Sequence, residues 1–261
     1  MCVRWAFVIL LLSAASWVPG CAGPHPQAAP PPAPPLHATS AKATPVHADL
    51  LVGAVFLGAS DLHTCTGSVL HSRTGNLILT AAHCLASNDS TTFQPGFSGR
   101  ADPAATWTID AIYLDPAWLA TQDPVADFAI ARVSRRDGRS VESAVGKGLT
   151  LGTAPTPGTE VRVIGYPISV GGEPIGCRAA TATVARGFRS LRCAGLTDGT
   201  SGAPWRTDSV VVGLTGGLDG GGCDETVSYS PPFDDRIVDL LRRAEASGPG
   251  DTAPVATADG C

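Results

Sequence analysis

Positive charge is scarce in this 261-residue chain. Lysine occurs only as Lys42 and Lys147, and the 18 lysines and arginines face 23 acidic residues, for a net charge of -5. That balance excludes the basic footprint nucleic-acid binding needs. No Cys-x-x-Cys pair and no cysteine–histidine cluster with zinc-ligand spacing occurs, so a structural zinc module is excluded. No acidic loop calls for calcium, and His25, His37 and His47 are scattered through a Pro-rich stretch. Past the N-terminus no apolar run is long enough to span a bilayer, and no internal repeat is evident. Charged residues make up 16% and hydrophobic residues 44%, so most of the chain can bury a core.

The first 22 residues read as an export signal. Arg4 supplies the positive charge, and Trp5–Val18 is a 14-residue, mostly apolar run, short for a membrane span. Val18-Pro19-Gly20-Cys21 is similar to a bacterial lipobox, in which Cys21 would become lipidated and tether the protein to the outer face of the membrane. Ordinary cleavage after Ala22 is also open, since Gly20 and Ala22 satisfy the small-x-small rule. Residues 23–47, with Pro24, Pro26, Pro30–Pro32, Pro34 and Pro35, are a spacer that favours extended geometry and cannot pack. A folded domain is expected over residues 48–247 and a flexible tail over 248–261. Eight cysteines favour an oxidising, extracellular compartment.

Between those limits, short runs rich in Val, Ile and Thr recur, punctuated by Gly, Pro, Asp and Asn. They include Leu50–Leu57, Thr66–Leu70, Asn76–Thr80, Thr106–Tyr113, Phe128–Val133, Val161–Tyr166, Ala179–Val184, Val210–Leu214 and Thr226–Tyr229. This predicts an all-β barrel or sandwich. A helical period shows only near the end, where Asp234 or Asp235 can cap a helix carrying Ile237, Val238, Leu240 and Leu241. The arginines 132, 135, 136 and 139 read as a solvated loop.

Three segments carry chemistry. In Leu79-Thr80-Ala81-Ala82-His83-Cys84, the small alanines permit a tight turn beside an imidazole, and Cys84 can tie that turn to Cys65. Closing that 20-residue loop stabilises by roughly 3 kcal/mol and holds the backbone of a general base. In Ala126-Asp127-Phe128-Ala129-Ile130, a buried carboxylate at a strand edge can orient His83 and stabilise its imidazolium. Asp123, before Pro124, reads as turn chemistry instead. In Asp198-Gly199-Thr200-Ser201-Gly202-Ala203-Pro204, Ser201 sits on a glycine-bounded turn where the N–H groups of Gly199 and Ser201 can form an oxyanion hole.

Taken together, these motifs resemble the trypsin-like (chymotrypsin-fold) serine protease family of the secreted bacterial type. Supporting matches are Cys65-Thr66-Gly67-Ser68, Val161–Pro167, Cys193-Ala194-Gly195 and Val211–Leu214. The resemblance implies two perpendicular six-stranded antiparallel β-barrels, about 48–145 and 155–235, with a short C-terminal helix and the site between them. It implies a His83–Asp127–Ser201 triad, hydrolysis of peptide bonds through an acyl-enzyme, and no metal or cofactor. Thr200 stands where relatives activated by a new N-terminus carry aspartate, so no such ion-pair switch is expected; bacterial glutamyl-endopeptidase relatives also have an uncharged residue there. Thr197, Asp198, Thr215, Gly216 and Gly217 are the expected pocket lining. Cys177, Cys193, Cys223 and Cys261 permit three pairings; Cys177–Cys193 across a hairpin is the preferred second bridge, with Cys193–Cys223 close behind. The partner is a protein or peptide substrate, and a monomer is expected.

Two rivals are weighed. Gly199–Ala203 is near the G-x-S-x-G elbow of α/β-hydrolases, but Pro204 and the strand-like Ser209–Leu214 contradict the helix that fold requires. The other is a non-catalytic protease-like surface binding module.

Overall fold

The computed structural model describes residues 41–58, 60–85, 90–222 and 226–255. The export segment with Cys21, most of the Pro-rich spacer, Cys223 and Cys261 lie outside the described residues.

The chain is mostly β. Two short strands, β1 (Ala41–Lys42) and β2 (Thr44–Pro45), precede the first barrel. That barrel comprises β3 (Val52–Leu57), β4 (Leu62–Leu70), β5 (Leu77–Thr80), β6 (Thr91–Pro95), β7 (Trp107–Leu114) and β8 (Ala129–Ser134). Its order is β4-β3-β6-β7-β8-β5, closed by β4 on β5 with Ser68 opposite Leu79. Closure pairs the two end strands with each other and so removes most of the exposed edge.

The second sheet contains β9 (Thr150–Leu151), β10 (Glu160–Gly165), β12 (Ile175–Thr183), β13 (Arg189–Ala194), β14 (Pro204–Thr207), β15 (Val210–Leu214) and β16 (Val227–Ser230). Its main path is β16-β13-β12-β10-β14-β15. The two ends meet through Leu214 N–H donating to Ser230 Oγ at 3.1 Å and Gly216 N–H donating to the Tyr229 carbonyl at 3.0 Å, not through a regular ladder. The short β11 (Ser169–Val170) leaves this half and pairs with β4 of the first barrel.

Alternation along a strand sends successive side chains to opposite faces, and β3 uses both. Val55 faces the interior of the first barrel, while Val52, Ala54 and Phe56 pack with Ile164 and Tyr166 from the second half. β10 divides likewise: Val161 and Val163 enter the second core and Ile164 the shared layer.

Three α-helices occur among the described residues: α1 (Pro116–Thr121), α2 (Val141–Val145) and α3 (Asp235–Glu245). The first two were not read as helices because each is too short to show a period; Asp115 and Ser140 cap them. Asp234 caps α3, and Ile237, Leu240 and Ala244 form its buried stripe. No helix among the described residues is long and apolar enough to cross a membrane.

Both ends of the fold reach further than composition suggested. β1 and β2 lie in the stretch read as spacer, yet they pair with β13 and β12. Residues 248–255, read as tail, lie on the first barrel: Asp251 accepts from Leu114 N–H at 2.7 Å and pairs with Arg243, and Ala253 is buried. Proline and glycine mark these segments as weak core formers but do not prevent backbone pairing at a sheet edge.

Candidate active site

β5 ends at Thr80, and the chain turns through Ala81 into a single 3-10 turn, Ala82–Cys84. Ala81 and Ala82 are buried, and Cys84 is bridged to Cys65 on β4. This fixes the backbone of His83, whose side chain keeps 31% of its surface exposed. Asp127 follows the turn Pro124–Ala126, where Asp123 accepts from Val125 N–H at 3.1 Å as turn chemistry.

The Asp127 side chain is 2% exposed, so its charge must be met by hydrogen bonds. Oδ1 accepts from the His83 backbone N–H at 3.0 Å. Oδ2 accepts from His83 Nδ1 at 2.8 Å and from Gly217 N–H at 2.6 Å. Burial pushes the carboxyl up, but the imidazole and the two backbone donors outweigh it and hold Asp127 below the ordinary carboxylate value. Burial alone would lower His83; the adjacent carboxylate reverses this and raises it above 6.5. An ionised carboxylate only accepts, so Nδ1 carries the hydrogen and the neutral ring presents Nε2 as an acceptor.

Ser201 arrives from the second half on the turn between β13 and β14. Its carbonyl accepts from Thr66 N–H on β4 at 2.8 Å, one residue from Cys65, so the turn rests against the strand bridged to His83's neighbour. Ser201 Oγ donates to the Gly220 carbonyl at 3.5 Å and makes no hydrogen bond to His83. The N–H groups of Gly199 and Ser201 have no acceptor among the described residues. Gly199 has φ +88°, and a Cβ there would fall 2.1 Å from Ile168 N. Only glycine fits.

The five expected pocket residues take different places. Thr215 is buried, with its hydroxyl accepting from Trp205 Nε1 at 3.1 Å and its carbonyl accepting from Gly202 N–H. Gly217 supplies a donor to Asp127 that the sequence reading did not assign; consecutive glycines signal a close approach without saying to what. Gly216 lies against the same carboxylate. Thr197 is half-buried and Asp198 exposed, and their carbonyls accept from Thr200 and Ile168.

Cys177 and Cys193 form the second bridge, joining β12 to β13, so the Cys193–Cys223 alternative is not the pairing present. Cys65, His83 and Cys84 bring three potential metal-ligand atoms within 4.8 Å, but both sulfurs are consumed by the disulfide.

A family model described as the trypsin-like peptidase domain matches residues 65–214. No curated protein matches the chain. Among solved structures, it is similar to the thermostable serine protease AL20 from an extremophilic microorganism, at 20% identity and TM-score 0.66 over 76% of this chain and 98% of that one. The protease Anisep from Arthrobacter nicotinovorans aligns at 22% identity and TM-score 0.64, over 79% and 99%. A Glu endopeptidase aligns at 17% identity and TM-score 0.62, over 78% and 97%. At such identities the likeness establishes the fold.

Proposed function

The chain belongs to the trypsin-like peptidase domain family, and on that premise we propose that it is an exported serine endopeptidase whose triad is His83, Asp127 and Ser201. The observation that carries this reading is the His83 Nδ1–Asp127 Oδ2 hydrogen bond of 2.8 Å, with the carboxylate buried and its remaining valence met by backbone donors.

In the mechanism, His83 Nε2 takes the proton of Ser201 Oγ as that oxygen attacks a peptide carbonyl. Asp127 holds the tautomer and stabilises the imidazolium. The free N–H groups of Gly199 and Ser201 receive the developing oxyanion, a role worth roughly 3–4 kcal/mol per donor in comparable sites. His83 returns its proton to the leaving amine, and water then hydrolyses the acyl-enzyme by the same route. Ser201 Oγ must first leave the Gly220 carbonyl; hydrogen bonds of this kind are often loose before substrate binds.

Thr197, Asp198, Thr215, Gly216 and Gly217 are proposed to border the substrate pocket, Thr215 through its backbone. The substrate is protein or peptide. Export through residues 1–22, with either lipidation of Cys21 or release, places the enzyme outside the cell, where the two disulfides persist. The Ser201–Gly220 contact gives specific weight to a second reading, a non-catalytic binding module built on the same fold. Incubating the purified protein with a peptide library separates the two: cleavage that disappears with Ser201→Ala supports the enzyme, and a folded protein that cleaves nothing supports the module.

A further inference from the structure

A hydroxyl on the first barrel reaches the turn that carries Ser201. Thr66 lies on β4, fully buried, and is joined by hydrogen bonds at its N–H, its hydroxyl and its carbonyl. Its N–H donates to the Ser201 carbonyl at 2.8 Å. Its Oγ1 donates to the Gly199 carbonyl and accepts from Tyr166 N–H, both at 2.9 Å. Its carbonyl accepts from Thr80 Oγ1 at 2.8 Å.

The consequence follows from peptide geometry. In a trans peptide, the C=O of one residue and the N–H of the next point in opposite directions. The Gly199 N–H shares a plane with the Asp198 carbonyl, which Ile168 N–H holds at 2.8 Å. The Ser201 N–H shares a plane with the Thr200 carbonyl, held by Ala203 N–H at 2.9 Å. Between them lies the Gly199–Thr200 plane. Its carbonyl is fixed by Thr66 Oγ1, and its N–H donates to Thr197 O at 3.1 Å. The Ser201–Gly202 plane that follows is fixed by Thr66 N–H and by Gly202 N–H donating to Thr215 O at 2.7 Å. Thr66 thus anchors two planes of the turn, those on either side of the Ser201 N–H plane.

We propose that Thr66 is a positioning residue of the oxyanion hole: its hydroxyl, supported by Tyr166 N–H, sets the orientation of the Gly199–Thr200 peptide and so holds the N–H groups of Gly199 and Ser201 convergent. Thr66 touches no substrate; it acts through the turn. The inference rests on the protease reading. Thr200 completes the brace, its own hydroxyl donating to Thr197 O at 2.8 Å. The turn is therefore held by two threonines from within the fold.

The test compares Thr66→Val, which keeps the shape and removes the hydroxyl, with Thr66→Ser, which keeps it. Active sites are counted by titration, so rates refer to folded, reactive protein. Thr66→Val lowers kcat by about 10–100-fold, the scale of a misplaced oxyanion donor, with KM nearly unchanged. Its affinity for a peptide aldehyde, which forms a tetrahedral oxyanion adduct, falls by the same factor, while the acid limb set by His83 stays in place. Thr66→Ser keeps kcat within about threefold of wild type, and Thr66→Ala replaces the valine variant if that protein does not fold. Wild-type kcat and aldehyde affinity in a folded hydroxyl-free variant would overturn the proposal, as would a serine variant as slow as the valine one. A wild-type protein that neither cleaves peptides nor forms the aldehyde adduct would instead sink the protease reading itself.

Discussion

The Asp127 carboxylate grips His83 at two points, accepting from its backbone N–H with Oδ1 at 3.0 Å and from its ring Nδ1 with Oδ2 at 2.8 Å. One side chain therefore fixes both where the imidazole sits and which tautomer it holds. Asp127→Asn keeps the shape but turns one acceptor into a donor. An amide N–H facing Nδ1 moves the ring hydrogen to Nε2, where it blocks proton uptake from Ser201. We expect kcat to fall by about 10⁴-fold with the near-ultraviolet circular dichroism of the folded protein retained.

Activity should follow neutral His83. Because Asp127 raises the imidazole above 6.5 against the effect of burial, the acid limb of kcat/KM lies above that value and not at it. Stability runs the other way. A raised folded-state value gives a contribution that is complete below the unfolded value and lost as pH rises through the folded one. A kcat/KM profile over pH 5–9 locates the limb; in a folded Asp127→Asn protein the residual activity shows it displaced downward.

His63 makes an opposite prediction. It is 1% exposed among Phe56, Phe97 and Tyr166, donates from Nε2 to the Gly171 carbonyl at 2.8 Å, and has no partner at Nδ1. Burial lowers it despite that hydrogen bond. The folded state resists a proton that the unfolded chain accepts near pH 6.5, so stability falls as pH drops from there toward the depressed value. His63→Phe loses about 1–3 kcal/mol at pH 7.5 by stranding the Gly171 carbonyl, but its melting temperature declines less steeply between pH 7 and 5. Thermal unfolding at both pH values checks this.

The Cys65–Cys84 bridge closes a loop with a sequence separation of 19. Replacing both cysteines with serine should cost about 3 kcal/mol, or roughly 6–12 °C in a domain of this size. Calorimetry of the double variant measures it.

Gly199→Ala introduces a Cβ 2.1 Å from Ile168 N at a φ of +88°. The turn must move, and kcat should fall at least about 10²-fold while the melting temperature changes less than in the disulfide variant.

Much of the architecture was legible because alternation and turn residues record it directly. Val210–Leu214 has the expected bounds, and Val52–Leu57 and Trp107–Leu114 lie within two residues of them. Thr91–Pro95 and Arg189–Ala194 were not read: polar Gln94 and the arginines interrupt the apolar signal, and these strands are specified by neighbours across the sheet. The candidate site divides along the same line. His83, Asp127 and Ser201 are singled out as candidates by their adjacent residues. The donor from Gly217 to Asp127 spans 90 positions and the bond from Thr66 to Gly199 spans 133. Contacts that distant depend on how two halves of the fold meet, which no local pattern encodes.

The most direct test is covalent labelling of the purified protein with a fluorophosphonate, read by intact mass and peptide mapping. A single adduct on Ser201 is expected, abolished by Ser201→Ala and strongly slowed by His83→Ala. A correctly folded wild-type protein that takes up no label after prolonged exposure, or an adduct that persists in Ser201→Ala, would contradict the account.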